Sequence, residues 1–238
     1  MANDSFKRVE MKYRLNSEQR AALEALLQKH MVPDAHGEST ICNIYYDTPD
    51  FRLIRKSIEK PVYKEKLRLR SYGRVSPDDK VFLELKKKYK GVVYKRRISL
   101  KEKNAMAFLN GEKVLKTDHE DFKKNQISKE IMFFVRSYPF LRPAIYLCYD
   151  RTAYFSKDDP SLRMTFDRNI RYRTEDFSLT SEPGGEQLLA PGESILEIKA
   201  SDGLPLWLVD ALDENEIRKN AFSKVGSAYQ VLLQQQAL

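Results

Sequence analysis

The stretch "YKEKLRLRSYG" at residues 63–73 constrains the fold of this chain more than any other segment. Its cations fall at every second position: Lys64, Lys66, Arg68 and Arg70. Leu67 and Leu69 lie between them. In a β-strand, successive side chains point to opposite faces, so the cations would share one face and the leucines the other. The fold must therefore cover the leucines and also accommodate four neighbouring positive charges.

The composition allows a packed core and favours anionic partners. The 238 residues are 42% hydrophobic and 32% charged, with a formal net charge of +8. That charge favours nucleic acid, acidic lipid or a phosphorylated small molecule, without choosing between them. The two cysteines are far apart in the chain, which argues against a disulfide scaffold. The N-terminus lacks an apolar signal segment, and no window reaches 18 uncharged apolar residues. We therefore expect a cytoplasmic protein without a transmembrane segment.

Several other segments repeat the alternation of apolar and charged residues. These predicted strands are 8–15, 81–90, 92–100 and 194–200. A further strand is predicted at 40–47 from its β-branched and aromatic residues. Strands are also predicted at 143–155 and 162–173. Gly91 would turn one strand into the next as a hairpin. Apolar residues at helical spacing predict amphipathic helices at 17–31, 101–110, 127–138 and 204–233.

Two arrangements are compatible with this pattern. In the first, an antiparallel sheet exposes its charged face to solvent, where most Lys and Arg residues lie. In the second, the helices cover the apolar faces, and the charged faces line a barrel or tunnel that holds a long anion. The second is favoured because neighbouring cationic strands would repel each other without an anion, and because the helices need an apolar surface to cover. Alternation alone places Lys95 in this lining.

Short motifs follow one another in a fixed order along the chain. They are Lys12-Tyr13, "ICNIYYD" (41–47), "LRLRSYG" (67–73), "LELK" (83–86), "YDRTAY" (149–154), "RMTFD" (163–167), "LEIK" (196–199) and "FSK" (222–224). In this order, the chain resembles the catalytic domain of the vacuolar transporter chaperone (VTC) polyphosphate polymerases, within the triphosphate tunnel metalloenzymes. The resemblance implies a single α+β domain over 1–238: an eight-stranded antiparallel barrel with a basic lumen, flanked by helices.

The resemblance also implies roles for individual residues. The expected phosphate ligands are Lys12, Arg68, Arg70, Lys86, Arg151, Arg163 and Lys224, and five of these would act in catalysis: Arg68, Arg70, Lys86, Arg151 and Lys224. Glu197 would hold a divalent metal, Mn²⁺ or Mg²⁺, together with phosphate oxygens. Lys199 shares the face of Glu197 and is expected to line the lumen. Without the resemblance, Glu197 would be interpreted as an ion-pair partner of the surrounding cations.

The function implied is transfer of the γ-phosphate of a nucleoside triphosphate, with ATP the expected donor, onto inorganic polyphosphate. One departure bears on this. Tunnel hydrolases often carry an E-x-E-x-K pattern near the N-terminus, whereas this chain has Arg8-Val9-Glu10-Met11-Lys12. The change disfavours a two-metal hydrolase. A triphosphatase and a non-catalytic polyphosphate-binding module remain alternatives. Nucleic-acid binding is disfavoured because aromatic residues do not interleave with the cations. The sequence does not indicate an oligomeric state.

Overall fold

The computed structural model describes residues 9–59, 61–90, 92–116, 121–201 and 203–236. Its strands are β1 (Val9–Leu15), β2 (Met31–Pro33), β3 (Ser39–Asp47), β4 (Tyr63–Tyr72), β5 (Lys80–Tyr89), β6 (Val92–Lys101), β7 (Arg142–Ser156), β8 (Arg163–Arg173), β9 (Glu186–Gln187) and β10 (Ser194–Ala200). Its helices are α1 (Ser17–His30), α2 (Arg52–Ile58), α3 (Glu102–Leu109), α4 (Phe122–Ser137), α5 (Leu206–Glu214) and α6 (Lys224–Gln236). The predicted α+β class is confirmed. Arg8 and Gly91 lie outside the described residues.

The chain forms two compact units, each discontinuous in sequence. Unit 1 comprises Met1–Thr40, Tyr149–Ile170 and Gln187–Ser223. Unit 2 comprises Ile41–Cys148, Arg171–Glu186 and Lys224–Leu238. Strands β7 and β8 contribute residues to both units. The organisation as a single domain over 1–238 stays a prediction.

Unit 1 contains an antiparallel sheet whose apolar face is covered by helices. Its strands are hydrogen-bonded in the order β1-β10-β8-β7, and β2 pairs with β7. Leu15 of β1 and Ile198 of β10 are fully buried in the same cluster as Leu23 of α1 and Leu208 of α5. The alternation predicted for β1 is confirmed, because Tyr13 and Leu15 are buried in this core. The charged residues of these strands therefore lie on the face opposite the helices.

Unit 2 repeats this construction with the order β7-β3-β4-β5-β6. Leu67 and Leu69 of the opening stretch are completely buried, in a cluster that includes Phe108 of α3 and Phe134 of α4. The helices thus cover the apolar face of this sheet too, as the amphipathic patterns predicted. The four cations of β4 lie on the other face, because antiparallel strands alternate their side chains.

The predicted C-terminal helix 204–233 is wrong as a single element. It consists of α5 and α6, with residues 215–223 between them. The Asn215 side chain donates a hydrogen bond to the Ala211 carbonyl at 2.8 Å, and Glu216 adopts a left-handed backbone with φ of 51°. Left-handed residues commonly terminate helices. Lys224 is the first residue of the second helix, α6.

Helix α2 was not predicted, and Asp47 stabilises its start. The buried carboxylate accepts hydrogen bonds from the backbone N–H groups of Leu53 and Ile54, each at 2.8 Å. These bonds satisfy donors that a helix N-terminus leaves without intrahelical partners. Among the described residues, none of the helices is long and apolar enough to cross a membrane.

Both cysteines belong to unit 2 and are buried in its core. Cys42 of β3 and Cys148 of β7 are free thiols in the same cluster as Tyr146. Burial raises the pKa of each thiol. The sequence-based argument against a disulfide scaffold agrees with this arrangement.

Candidate functional site

The polar face of the unit 2 sheet carries cations in cross-strand rows. We call this surface the basic face; it comprises Asn43, Tyr45, Lys64, Lys66, Arg68, Arg70, Phe82, Glu84, Lys86, Lys88, Lys95, Arg97 and Ser99. Arg68 lies opposite Tyr45 on one side and Glu84 on the other. Glu84 in turn lies opposite Arg97. Four neighbouring strands therefore each contribute one side chain to a single row.

Glu84 is the centre of the basic face. Its side chain is only 1% exposed, and Arg68 Nη2 approaches its Oε2 at 2.6 Å. Lys95 Nζ lies 2.8 Å from Oε1. Arg97 Nε and Arg70 Nε lie farther away, at 3.4 Å and 3.8 Å from the carboxylate. One buried carboxylate thus faces four cations, which leaves an excess of positive charge on this face.

The titration behaviour of the cluster follows from its burial and charge. Burial of Glu84 favours its protonated form, but Arg68 and Arg70 outweigh burial, and the pKa of Glu84 falls to about 2. Burial lowers the pKa of Lys95, and its pairing with Glu84 opposes this only in part. The carboxylate therefore remains charged at neutral pH and holds its cations in place.

The rows on either side of Glu84 extend the basic face. Lys86 lies opposite Lys66 and Lys95, so three ammonium side chains share one row. In the other direction, Arg70 is buried and donates from Nε to the Asn43 side-chain oxygen at 2.9 Å. Like charges directly opposite each other destabilise a sheet. An anion bound here would relieve that cost.

Lys224 is the remaining predicted phosphate ligand in unit 2. It is the first residue of α6 and is 8% exposed.

The polar face of the unit 1 sheet is organised by acids as well as cations. We call it the paired face; it comprises Glu10, Lys12, Arg14, Arg151, Arg163, Thr165, Asp167, Ile195, Glu197 and Lys199. Glu197 lies opposite Lys12 on β1 and Thr165 on β8. Lys12 Nζ is 3.3 Å from Glu197 Oε1 and 3.7 Å from Glu10 Oε1. Glu197 and Lys12, both singled out from the sequence, therefore contact each other.

Arg151 is clamped by carboxylates. It donates from Nε and Nη2 to the two oxygens of Asp167, at 2.6 Å and 2.7 Å. Its Nη2 also lies 3.4 Å from Glu197 Oε2. Burial disfavours its charge, but Tyr149 and Asp167 outweigh burial and hold the pKa of the guanidinium above its usual value. This two-bond geometry fixes the plane of the guanidinium.

Arg163 and Lys199 occupy the neighbouring row of the paired face. They lie opposite each other on β8 and β10, and Lys199 also faces Glu10. Arg163 Nη2 is 3.6 Å from Asp34, and its guanidinium lies 4.8 Å from the centre of the Phe155 ring. Both predicted ligands thus share the face of Glu197.

Glu197 fits a divalent metal only as part of a mixed ligand set. Within the described ranges, no group of three or more His, Cys, Asp or Glu side chains is arranged to hold a metal ion by itself. Thr165, opposite Glu197, has a buried hydroxyl oxygen without a hydrogen-bond partner. Mg²⁺ typically takes one or two carboxylates together with water and substrate phosphates. The carboxylate and this unsatisfied hydroxyl are compatible with such an ion when phosphate supplies the other oxygens.

Comparison with known families identifies the chain. A family model described as "VTC domain" matches residues 7–233. The chain belongs to the VTC domain family. The resemblance inferred from the ordered motifs is confirmed.

Two curated relatives of this VTC domain carry the same name. The first is the vacuolar transporter chaperone complex subunit 4 of Trypanosoma brucei brucei (strain 927/4 GUTat10.1), 28% identical over 179 residues that cover 66% of this chain and 22% of that protein. The subunit 4 of Schizosaccharomyces pombe (strain 972 / ATCC 24843) is 30% identical over 158 residues, covering 60% and 22%. The VTC domain thus spans about a fifth of the length of these relatives.

Solved structures share its fold at low sequence identity. A putative adenylate cyclase from Bacillus halodurans has a TM-score of 0.55 and 14% identity, covering 91% of this chain and 93% of that one. A putative adenylyl cyclase from Hippeastrum, described as having a dominant triphosphatase activity, has a TM-score of 0.50 and 16% identity, covering 92% and 93%. These likenesses concern the fold alone and agree with the predicted tunnel-like α+β fold, whereas the closed barrel with a basic lumen stays a prediction.

Some residues of the VTC domain site were missed from the sequence. Asp167 was part of a quoted motif but received no role, although it clamps Arg151. Tyr45 and Thr165 each lie on the polar face of their strand, and this alternation was the sequence signal that could have identified them. Their importance depends on which strands are neighbours, and β8 and β10 are not consecutive in the chain.

Proposed function

We propose that this VTC domain is a phosphotransferase that builds inorganic polyphosphate from a nucleoside triphosphate, with ATP the expected donor. The observation that carries the proposal is the basic face, where four cations surround the single buried carboxylate of Glu84. Such a surface suits a chain of phosphates better than an isolated anion. Membership of the VTC domain family supports the same assignment.

The proposed phosphate ligands divide by side-chain type. Arg68 and Arg70 offer planar forks of donors that match two phosphate oxygens at once. Lys86 and Lys95 contribute compact charges from the adjoining strands. In unit 1, Arg151 presents a guanidinium whose plane is already fixed by Asp167. We assign the same role to Lys12, Arg163, Lys199 and Lys224.

The chemistry requires positioning and neutralisation of charge. A terminal phosphate oxygen of the polyphosphate chain attacks the γ-phosphorus of the nucleotide, and a new P–O–P bond forms. The bond from the γ-phosphorus to the bridging oxygen breaks, and the nucleoside diphosphate leaves with that electron pair. Because the nucleophile is already an oxyanion, no strong general base is needed. Arginine and lysine side chains hold the reacting phosphates and neutralise the charge that develops on them.

A divalent ion, Mn²⁺ or Mg²⁺, is part of the proposal. Glu197 would hold it, with the Thr165 hydroxyl as a neighbouring oxygen. Bound there, such an ion would neutralise phosphate charge in the transition state. Lys12 and Arg151 contact the same carboxylate and orient it.

Two alternatives are outcomes of the test. A tunnel triphosphatase would transfer the phosphoryl group to water, and the Hippeastrum neighbour is described as having such an activity. A non-catalytic module would bind polyphosphate without turnover.

The deciding experiment incubates the purified protein with ATP and either Mn²⁺ or Mg²⁺, with and without a short polyphosphate primer. Polymer length on gels, ADP and free phosphate are measured in the same samples. A polymerase gives polymer in proportion to ADP, with little free phosphate. Free phosphate without polymer would establish the triphosphatase, and triphosphate binding without either product would establish the binding module.

A further inference from the structure

The phenol of Tyr45, on the basic face, has no role in the phosphate-binding set assigned above. It lies opposite Arg68 in the row that contains Glu84. Arg68 Nη1 donates a hydrogen bond to its oxygen at 2.9 Å, while Nε of the same guanidinium donates to Glu84 at 2.8 Å. Arg68 therefore bridges the phenol and the carboxylate. The phenol is half-buried, and in the described part of the chain its own hydroxyl proton has no acceptor.

We propose that Tyr45 is a phosphate-contacting residue whose O–H group donates to a phosphate oxygen bound beside Arg68, and that phosphate binding is coupled to protonation of this phenol. The inference rests on the proposed function, because it assumes that phosphates bind to the basic face. It adds a neutral donor to a surface otherwise described by its charges.

The coupling follows from the charges around the phenol. Burial favours the neutral form, whereas Arg68, Lys66 and Arg70 outweigh burial and lower the pKa of the phenol to about 8. On the other side of β3, the unit 2 part of β7 contains Arg142, exposed at the strand start, and Tyr146 and Cys148 in the apolar core. Glu84 lies beyond Arg68 in the same row and is already neutralised by its four cations.

The charges around Tyr45 determine whether phosphate binding takes up or releases a proton. Without phosphate, the cations favour the phenolate, which acts as a substitute anion. A bound phosphate neutralises the same cations and repels the phenolate, so the pKa of the phenol rises and a proton is taken up. The affinity for phosphate should therefore fall as the pH rises through about 8. Only the protonated phenol can donate to the phosphate oxygen.

The test uses the full chain, inorganic triphosphate as the probe, and the variants Tyr45→Phe and Tyr94→Phe. The second is a control, because Tyr94 is an exposed tyrosine of β6 in the same unit. Ultraviolet difference absorbance of tyrosinate should show one group titrating near pH 8 in wild type and in Tyr94→Phe, but not in Tyr45→Phe. Saturating triphosphate should shift that titration upward.

Calorimetry in buffers of different ionisation enthalpy counts the protons taken up on binding. Just above pH 8, wild type should take up more protons than Tyr45→Phe, and the variant should bind triphosphate about tenfold more weakly near neutral pH, as expected for one lost hydrogen bond. Equal affinity and equal proton uptake in the two proteins would overturn the inference while leaving phosphate binding intact. Failure of wild type to bind triphosphate would overturn the proposed function itself. If Tyr45→Phe did not fold, the wild-type titration with and without triphosphate would still decide.

Discussion

The basic face of unit 2 and the paired face of unit 1 use the same residue types in different proportions. In unit 2, one buried carboxylate serves four cations. In unit 1, Arg151 contacts the carboxylates of Asp167 and Glu197. Lys12 contacts those of Glu10 and Glu197. The first surface therefore has more positive than negative charge, whereas on the second surface most cations contact a carboxylate. A surface with excess cations suits phosphate, whereas a surface with paired carboxylates is suited to orient a few side chains and a metal.

This difference shows that the alternation of residues along a strand, which assigns each side chain to a face, does not by itself define a functional site. Both sheets cover their apolar faces with helices and expose alternating charged residues on the other face. What separates them is the number of carboxylates among the cations. The comparison leads to four tests.

The largest effect is expected from Arg68→Ala. The change removes a guanidinium that bridges Tyr45 and Glu84 and is proposed to bind phosphate. Charge-assisted hydrogen bonds contribute about 1.5–3 kcal/mol each, so triphosphate affinity and turnover should fall about a hundredfold or more. Calorimetry and the polymer assay measure the two quantities.

A matched control is Arg74→Ala, because Arg74 lies in the same unit and pairs with the exposed Glu182. It should leave binding and turnover unchanged. If Arg68→Ala retained full affinity, the basic face would not be the phosphate site, and the contrast between the two faces would lose its functional meaning.

Glu84→Gln should lower the free energy of unfolding, because it leaves the cations of the basic face without their carboxylate. Removing the buried carboxylate leaves its cations uncompensated, at a cost of roughly 2–3 kcal/mol, because Lys95 and Arg97 are partly exposed and screened. Inorganic triphosphate should restore much of this loss, because it replaces the missing anion. Urea unfolding with and without triphosphate measures both effects, and Glu182→Gln is the control. A destabilised variant that triphosphate did not rescue would contradict the proposed role of the basic face.

Glu197→Gln tests the paired face. If Glu197 holds a divalent ion, the variant should need at least about tenfold more Mn²⁺ for half-maximal metal binding in the presence of triphosphate. Metal-free triphosphate binding should change little. Mn²⁺ electron paramagnetic resonance measures the bound metal directly. Glu193→Gln is the control, since Glu193 belongs to unit 1 and pairs with Arg14 at 2.5 Å. Unchanged Mn²⁺ binding would reduce Glu197 to an ion-pair partner.

The smallest effect concerns pH. The pKa of Glu84 in the folded protein is about 2, below its unfolded value. A lowered pKa contributes stability above the unfolded pKa, and this contribution is lost as the pH falls toward the folded value. The stability difference between wild type and Glu84→Gln should therefore be constant from pH 7 to about pH 5 and shrink below that. Urea unfolding at several pH values measures it. A difference that already shrank near pH 6 would mean that the cations do not hold Glu84 ionised.

Much of the fold followed from local patterns. Alternation assigned the faces of β1, β4 and β5 correctly because each strand buries one side under helices. Motif order identified the family because it does not depend on any single motif. The break between α5 and α6 was missed, since Glu216 adopts a left-handed backbone that its residue type does not favour.

The arrangement of the sites was harder to predict, because it depends on register and strand order. Glu84 was quoted from the sequence only as part of the "LELK" motif, because its position opposite both Arg68 and Arg97 depends on the pairing of three strands. The proximity of Thr165 to Glu197 required β8 to lie beside β10. Alternation predicts which face of the sheet a residue occupies, but it does not predict which residues of other strands lie beside it.

Because Cys42 and Cys148 are buried, the reactivity of their thiols can be used to measure the opening of unit 2 separately. Both belong to unit 2, and the chain has no other cysteine. Because each thiol is buried with a raised pKa, an alkylating reagent can react only when this core opens. The rate of alkylation thus measures how often the core of unit 2 opens, and it does not depend on opening of unit 1. If triphosphate slowed alkylation, the anion would be stabilising the unit that contains the basic face.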